Sequence, residues 1–179
     1  MIVYLVHGFN VRDGGKRTVD RFRPLLEERG YQVRDVDYGR FGLGKVRLCN
    51  KGVSRLLARL VEPDSIAIAH SNGAAVVRQA AVYGAHFQHV TLVNPALDRA
   101  ATIPYARTVD VWHAPSDVAT LASRLLLFHP WGSQGRHGFK GLDRRYRNFN
   151  ADDLLGEELK HSGIFRRRRY LTAVLDQIP

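Results

Sequence analysis

The sequence of 179 residues predicts one α/β domain, a three-layer α/β/α sandwich built on a mostly parallel sheet of about five to six strands. Three observations support this fold class. Five short apolar runs alternate with longer amphipathic segments, as strands alternate with helices. Runs such as residues 2–6 are continuously apolar, as expected for strands covered on both faces, whereas residues 31–38 alternate between apolar and polar residues. The length suits a single hydrophobic core over residues 1–179, because single domains typically hold roughly 100–200 residues.

The first half of the chain is predicted to hold three strands and three helices. The strands cover residues 2–6, 31–38 and 65–69, and the helices cover residues 17–29, 51–61 and 72–83. The opening run is β-branched and aromatic and stops at His7-Gly8, which favours a buried strand. Pro24 lies inside the first helical segment and is expected to kink it.

The second half continues the alternation of strands and helices. Strands are predicted over residues 89–93 and 108–113, and helices over residues 117–128 and 166–178. Residues 129–150 are rich in glycine, arginine and aromatic residues and show no helical or strand period. We therefore expect an irregular basic and aromatic loop in this segment, near the site described below.

The composition excludes several classes of protein. Hydrophobic residues make up 45% of the chain, which rules out a disordered chain. A single cysteine, Cys49, excludes an internal disulfide, and no Cys and His spacing typical of zinc ligands occurs, so no metal site is expected. The apolar N-terminal run is too short for a signal peptide or a membrane span, which favours a cytoplasmic protein without a transmembrane segment.

The chain carries a net charge of +10, from 27 Lys and Arg against 17 Asp and Glu. Residues 128–170 hold half of this excess, including the unbroken run Arg166–Arg169. Such an excess indicates an anionic neighbour, such as nucleic acid, a membrane surface or an acidic substrate. Acidic residues near in sequence could instead neutralise the run within the molecule: Asp152, Asp153, Glu157 and Glu158. Both interpretations stay open at this point.

The segment Ala69-His70-Ser71-Asn72-Gly73 lies where a predicted strand meets a predicted helix. A serine on such a tight turn projects its hydroxyl from the carboxyl edge of the sheet, and the cramped turn needs small residues two positions before and after it. The alternative is that Ser71 only caps the helix, as serine often does. The pattern favours a nucleophile elbow with alanine in place of the usual first glycine.

Two backbone amides are expected to face this serine. Gly8 directly follows the opening strand and lets the chain turn sharply, so that the N–H of Phe9 can point toward Ser71. The N–H of Asn72 opens the helix, where unpaired donors and the helix dipole favour an oxyanion. Phe9 and Asn72 are therefore the predicted oxyanion hole. An ordinary strand-ending glycine is the alternative for Gly8.

A serine nucleophile needs a base and a carboxylate that orients it. Asp117 follows the last predicted strand and is the preferred acid, although it could simply cap a helix; Asp98 is the rival. Among eight histidines, His161 is the preferred base, since it comes after the acid on a short loop before the last helix. His137 is the alternative.

These pieces together resemble a small member of the α/β-hydrolase superfamily. They occur in the family's chain order and span most of the sequence. The resemblance implies a triad of Ser71, His161 and Asp117, an acyl-enzyme intermediate and no cofactor. The chain would begin at the third strand of the family's sheet, and no insertion is long enough for a helical cap. It is therefore similar to the small cap-less, cutinase-like esterases and lipases, with a minimal α/β-hydrolase core.

The substrate side is expected to involve His7, His70, Trp131 and Phe139, the last two from the basic and aromatic segment. The leading hypothesis is a carboxylesterase or lipase-like acyl hydrolase that acts on a small or lipid-like ester, anionic esters included. A thioesterase or peptidase fits the same chemistry. The second hypothesis is a catalytically silent hydrolase scaffold that binds an anionic partner such as nucleic acid.

Overall fold

The structure is a computed structural model that describes residues 1–39, 46–118 and 131–179. The sheet has six strands in the order β2-β1-β3-β4-β5-β6, and all five neighbouring pairs are parallel. The strands are β1 Ile2–Val6, β2 Gln32–Val36, β3 Ser65–His70, β4 Phe87–Val93, β5 Ala106–His113 and β6 Tyr146–Asn150. The predicted fold class is thus confirmed.

Helices of very different lengths connect the strands. Among the described residues, the α-helices are α1 Arg23–Glu28, α2 Val46–Leu60, α3 Asn72–Val82, α4 Gln134–His137, α5 Ala151–Leu155 and α6 Arg168–Leu175. Val19–Phe22 and Gly163–Phe165 are 3₁₀ helices. Most of the helix predicted over residues 117–128 lies outside the described residues. Within these residues, no helix is long and apolar enough to cross a membrane.

The side chains of the strands alternate between two apolar clusters, one on each face of the sheet. In β1, Tyr4 and Val6 join the cluster beneath α2 and α3, whereas Val3 and Leu5 join the cluster beneath α1 and α6. Because successive side chains of a strand point to opposite faces, a central strand must be apolar at every position. All five residues of β1 are buried. These two clusters give the sandwich its three layers.

Two boundaries differ from the sequence-based prediction. Pro24 does not kink one long helix; it occupies the first turn of α1, directly after the 3₁₀ helix Val19–Phe22. A proline is tolerated there because the first-turn N–H groups have no helical partner. The closing helix begins at Arg168 rather than at residue 166, and ends at Leu175.

Part of the segment 129–150, which the sequence predicts to be an irregular loop, has regular secondary structure. Its last five residues form β6, which pairs in parallel with β5 at the edge of the sheet. This strand is half exposed, and its sequence, YRNFN, contains no apolar run that would predict a strand. Only the pairing with β5 makes it a strand.

The strand order places a crevice at one edge of the sheet. The chain leaves β1 toward β2 on one side, and β3 then continues toward β4 on the other side. At such a switch point the loops after the two central strands diverge, and ligands bind in the crevice at the carboxyl ends of the strands. The turn after β1 and the turn after β3 therefore lie side by side at this edge of the sheet.

Candidate active site

Ser71 occupies a strained turn between β3 and α3. Its backbone has φ 54° and ψ −121°, a combination that costs an L-residue about 1–3 kcal/mol. The turn is fixed from three directions, since the Ser71 N–H donates to Val93 O at 3.1 Å, while its carbonyl accepts from Ala74 N at 3.1 Å and Ala96 N at 3.0 Å. Ser71 therefore adopts a strained conformation between a strand and a helix, which hydrogen bonds to its neighbours maintain.

Close packing explains the small residues around this turn. A Cβ on Gly73 would lie 2.3 Å from the carbonyl oxygen of Val6 and 2.6 Å from that of His7. A Cβ on Gly8 would lie 3.2 Å from Ser71 Cβ. The end of β1 thus presses directly against the start of α3, and the turn after β1 lies beside the serine.

Ser71, His161 and Asp117 form one hydrogen-bonded row. His161 Nε2 lies 3.0 Å from Ser71 Oγ, and His161 Nδ1 lies 2.8 Å from Asp117 Oδ2. The carboxylate side chain is fully buried, whereas 27% of the imidazole side chain is exposed. A serine in contact with a base, which is oriented in turn by a buried acid, is the arrangement that activates a hydroxyl as a nucleophile.

Asn94, which follows β4, holds the acid and the base loop together. Its Nδ2 donates to Asp117 Oδ2 at 3.2 Å, to Gly135 O at 3.3 Å and to Lys160 O at 3.4 Å. Asn94 is buried and has a positive φ of 43°. Asn94 directly follows β4 and precedes Pro95, and nothing in this local sequence indicates its contact with the acid.

The turn after β1 is held through its carbonyl groups. The Tyr38 hydroxyl donates to His7 O at 2.6 Å and lies 3.1 Å from Gly8 O, while His7 Nδ1 lies 2.8 Å from Gly8 O. Burial raises the pKa of Tyr38, which keeps this hydroxyl protonated. In the trans peptide between Gly8 and Phe9, a carbonyl held on one side leaves the Phe9 N–H on the opposite side.

The buried side chain of Asn72 is the centre of a polar network with partly exposed residues. Its Nδ2 donates to Asn50 Oδ1 at 3.0 Å and to the Tyr38 hydroxyl at 3.4 Å, and its Oδ1 accepts from Asn50 Nδ2 at 2.9 Å and from Trp131 Nε1 at 3.1 Å. All four hydrogen-bonding positions of the amide are used. This network connects α2, the segment after β2 and Trp131 to the first residue of α3.

The rings of His7 and His70 are buried. His7 is 1% exposed and stacks on Tyr38 with ring centroids 4.1 Å apart. His70 is 4% exposed, and its Nε2 lies 3.0 Å from His161 O. Burial, with the nearby His161 as a second cause, lowers the pKa of His70 to about 3, so the ring is neutral and donates to that carbonyl. His7 therefore contacts the turn after β1, and His70 contacts the loop that carries His161.

The two aromatic residues named from the sequence have different surroundings. Trp131 is partly exposed, donates to Asn72 and packs on Phe9 with ring centroids 5.2 Å apart. Phe139 is 8% exposed and stacks on Tyr146 at 4.0 Å within the core, so it does not line the site. Of these two residues, only Trp131 lies beside Asn72 and Phe9.

The alternative acid and base lie apart from the row. Asp98 is exposed, and its backbone carbonyl accepts from Gln134 Nε2 at 3.4 Å. His137 ends the short helix α4, where its carbonyl accepts from Arg99 Nη2 at 3.2 Å. No group of His, Cys, Asp or Glu among the described residues is arranged to hold a metal ion.

Comparison with solved structures identifies the fold. A protein of Xanthomonas campestris pv. campestris assigned to the alpha/beta hydrolase superfamily is 17% identical, covers 97% of this chain and 92% of its own, and has a TM-score of 0.56. Mouse alpha/beta hydrolase domain-containing protein 10 is 12% identical, with coverages of 98% and 87% and a TM-score of 0.65. A protein of Pectobacterium atrosepticum described as a YdeN-like hydrolase is 17% identical, with coverages of 98% and 90% and a TM-score of 0.52.

No protein-family profile and no curated protein matches the sequence. At these levels of identity the structural similarity establishes the fold, and the function has to be argued from the site. The resemblance predicted from the sequence is thus confirmed at the level of the fold.

Proposed function

We propose that this chain, which has the α/β-hydrolase fold, is a serine hydrolase that cleaves carboxylic esters through an acyl-enzyme intermediate. The observation that carries the proposal is the continuous row from Asp117 through His161 to Ser71 at the carboxyl edge of the sheet. Each member has a contact that suits its role, and the serine stands on a turn too strained for a residue that only caps a helix.

In the first half of the reaction, His161 Nε2 takes the proton of Ser71 Oγ while that oxygen attacks the ester carbonyl carbon. A bond forms between Oγ and carbon, and the carbonyl electron pair moves onto its oxygen. The N–H groups of Phe9 and Asn72 would receive this oxyanion. His161 Nδ1–H donates to Asp117 throughout, which fixes the tautomer and stabilises the imidazolium.

The tetrahedral intermediate then collapses. The bond between carbon and the alcohol oxygen breaks, and His161 returns its proton to the leaving alcohol. A water molecule then attacks the acyl carbon while His161 takes one of its protons. The bond between the acyl carbon and Ser71 Oγ breaks, His161 gives the proton to Oγ, and the acid is released. The cycle consumes one water molecule, and His161 gives back each proton that it takes.

The rings of Phe9 and Trp131 favour an apolar substrate. Phe9 supplies one of the proposed oxyanion donors through its backbone, so a substituent on the reacting carbon would lie near its side chain. Both residues are partly exposed and pack against one another. Desolvation of an acyl or alkyl chain against this pair would supply binding free energy of about 25 cal/mol per Å² of apolar surface.

A fluorophosphonate probe and p-nitrophenyl acetate test the proposal. Ser71→Ala is expected to abolish labelling and to lower kcat by about 10⁴-fold or more. His161→Ala is expected to have the same effect, because the serine and the histidine act as one catalytic unit. Asp117→Asn is expected to cost about 10⁴-fold through the wrong tautomer. Asp98→Asn and His137→Ala are the matched controls and should retain activity.

Two outcomes would contradict the proposal. Labelling and turnover that survive Ser71→Ala would show that another group reacts. A native protein that neither labels nor turns over esters, but binds single-stranded oligonucleotides with strong salt dependence, would instead support the binding-protein hypothesis.

A further inference from the structure

The acid and the base of the row stand on two loops far apart in the chain. Asp117 follows β5, whereas His161 lies beyond α5, and their side chains meet over a separation of 44 residues. The hydrogen bond between them requires a fixed distance between the two loops. A displacement of about 1 Å at a reacting group can lower the rate about 10²-fold. Asn94 joins the two loops at Asp117 Oδ2 and Lys160 O, and a second set of contacts joins them through the residues that precede the acid and the base.

Both loops converge on the carboxylate of Asp152, the second residue of α5, directly beyond β6. On the acid side, Ser116 N donates to Asp152 Oδ2 at 2.9 Å, and Ser116 Oγ donates to Asp152 Oδ1 at 3.0 Å. On the base side, Leu159 N donates to Asp152 Oδ1 at 2.8 Å. The carboxylate thus receives three donors from the residues adjoining the row.

Ser116 completes the contacts between the two loops. We call these contacts, which join Asp152 and Ser116 to Leu159 and Lys160, the clamp. Its hydroxyl donates to Asp152 and at the same time accepts from Lys160 N at 2.9 Å. Ser116 directly precedes Asp117, and Lys160 directly precedes His161. The backbones that carry the acid and the base are therefore joined at one position before each of them.

We propose that Asp152 is a positioning residue, which sets the separation of the Asp117 and His161 loops and thereby the hydrogen bond between them. The inference rests on the proposed function of Ser71 and adds to it a residue that touches none of the reacting atoms. Charge is part of the role, because a carboxylate offers only acceptors and every partner here is a donor.

Asp152→Asn tests the role with nearly constant volume. The amide replaces one accepting oxygen with an NH₂ group, which must face a backbone N–H or the Ser116 hydroxyl, so at least one arm of the clamp is lost. We expect kcat on p-nitrophenyl acetate to fall about 10- to 100-fold with little change in KM. The acidic limb of the pH–rate profile should move to lower pH, because a more distant carboxylate stabilises the imidazolium less.

Ser116→Ala is the second variant, since it removes the link to Lys160 without placing a new donor in the clamp. We expect a smaller loss of kcat, about 3- to 10-fold. Asp153→Asn is the matched control: the same charge is removed one residue along the helix, from an exposed side chain. It should leave kcat and the pH profile unchanged.

The downfield proton resonance between His161 Nδ1 and Asp117 gives a readout that needs no turnover. It should weaken or shift in Asp152→Asn and stay in Asp153→Asn. An unchanged resonance, or a variant that only melts earlier while its kcat and pH profile stay native, would overturn the inference. If native protein shows no Ser71-dependent turnover, the proposed function fails, and this resonance still decides whether Asp152 orders the pair.

Discussion

Gly73 is the residue at which the serine turn tolerates least change. The backbone oxygens of Val6 and His7 leave no space for a Cβ, the nearest distance being 2.3 Å. Gly73→Ala is therefore expected to lower the free energy of unfolding by about 1–3 kcal/mol, because the end of β1 must move away from α3. The turn after β1 would move with it, so kcat on p-nitrophenyl acetate should fall as well. Urea unfolding and ester hydrolysis measure the two effects.

Gly52 provides the matched control for this substitution. It lies within α2 with no atom within 4 Å of an added Cβ. Gly52→Ala should raise the free energy of unfolding by about 1 kcal/mol through helix propensity and leave kcat unchanged. Equal effects of the two substitutions would show that close packing at the elbow is not what selects glycine there.

Strand β6 is attached to the sheet by an ion pair in addition to its backbone. Arg147 lies opposite Asp110 of β5 and binds both of its carboxylate oxygens, at 2.7 Å and 2.8 Å. Asp110 is fully buried, and burial raises its pKa although Arg147 acts in the opposite direction. Arg147→Met leaves a buried charge without its partner, so we expect a loss of about 2 kcal/mol or more in the free energy of unfolding.

The double variant Asp110→Asn with Arg147→Met separates charge from packing. Because it removes the uncompensated charge, it should be more stable than Arg147→Met alone in urea unfolding. Arg144→Met, an exposed arginine of the same segment, is the control and should change stability little. A double variant less stable than Arg147→Met would mean that the pair does not hold β6 through its charge.

Two buried histidines make the stability of the whole molecule depend on pH. Burial lowers the pKa of His70 to about 3 and that of His89 to about 4, where Arg147 adds to the effect. Between these values and the ordinary value of about 6.5, the unfolded chain binds protons that the folded chain refuses. Stability should therefore fall as the pH decreases from 7 to 5, by about 2 kcal/mol for each histidine.

His89→Gln tests this dependence on one residue. His89 lies between Thr91 and Thr108, with Asp110 3.6 Å away, and glutamine retains hydrogen-bonding groups. Urea unfolding at pH 7 and pH 5 should show a pH dependence about 2 kcal/mol smaller in the variant than in the native protein. His86→Gln changes an exposed histidine and should leave the native dependence intact.

The basic run near the C-terminus is partly neutralised within the molecule. Arg167 lies 3.1 Å from Glu157, Arg168 lies 2.5 Å from Glu28, and Arg169 donates to the Tyr170 hydroxyl at 3.0 Å. Glu157 is one of the acidic residues that the sequence offered, whereas Glu28 comes from α1. Ion pairs this exposed stabilise the fold little. Their effect is to lower the charge that the run offers to an anionic partner.

Sequence alone determined the features that depend on local chemistry. Apolar runs such as residues 2–6 define buried strands, and small residues around Ser71 define a tight turn, because neighbouring residues decide backbone conformation there. The order of serine, acid and histidine could also be read from the chain. The strand β6 could not, since its polar edge sequence becomes a strand only by pairing with β5.

Tertiary structure decided every choice between residues of the same type. The sequence offered Asp117 or Asp98 and His161 or His137, and only the folded chain brings the first of each pair into contact. The sequence could not distinguish the surroundings of Phe139 from those of Trp131, yet Phe139 lies in the core and Trp131 lies beside Asn72. Asp152 was visible only as an acidic residue. Distance between loops is a property of the whole fold, so no local pattern could reveal it.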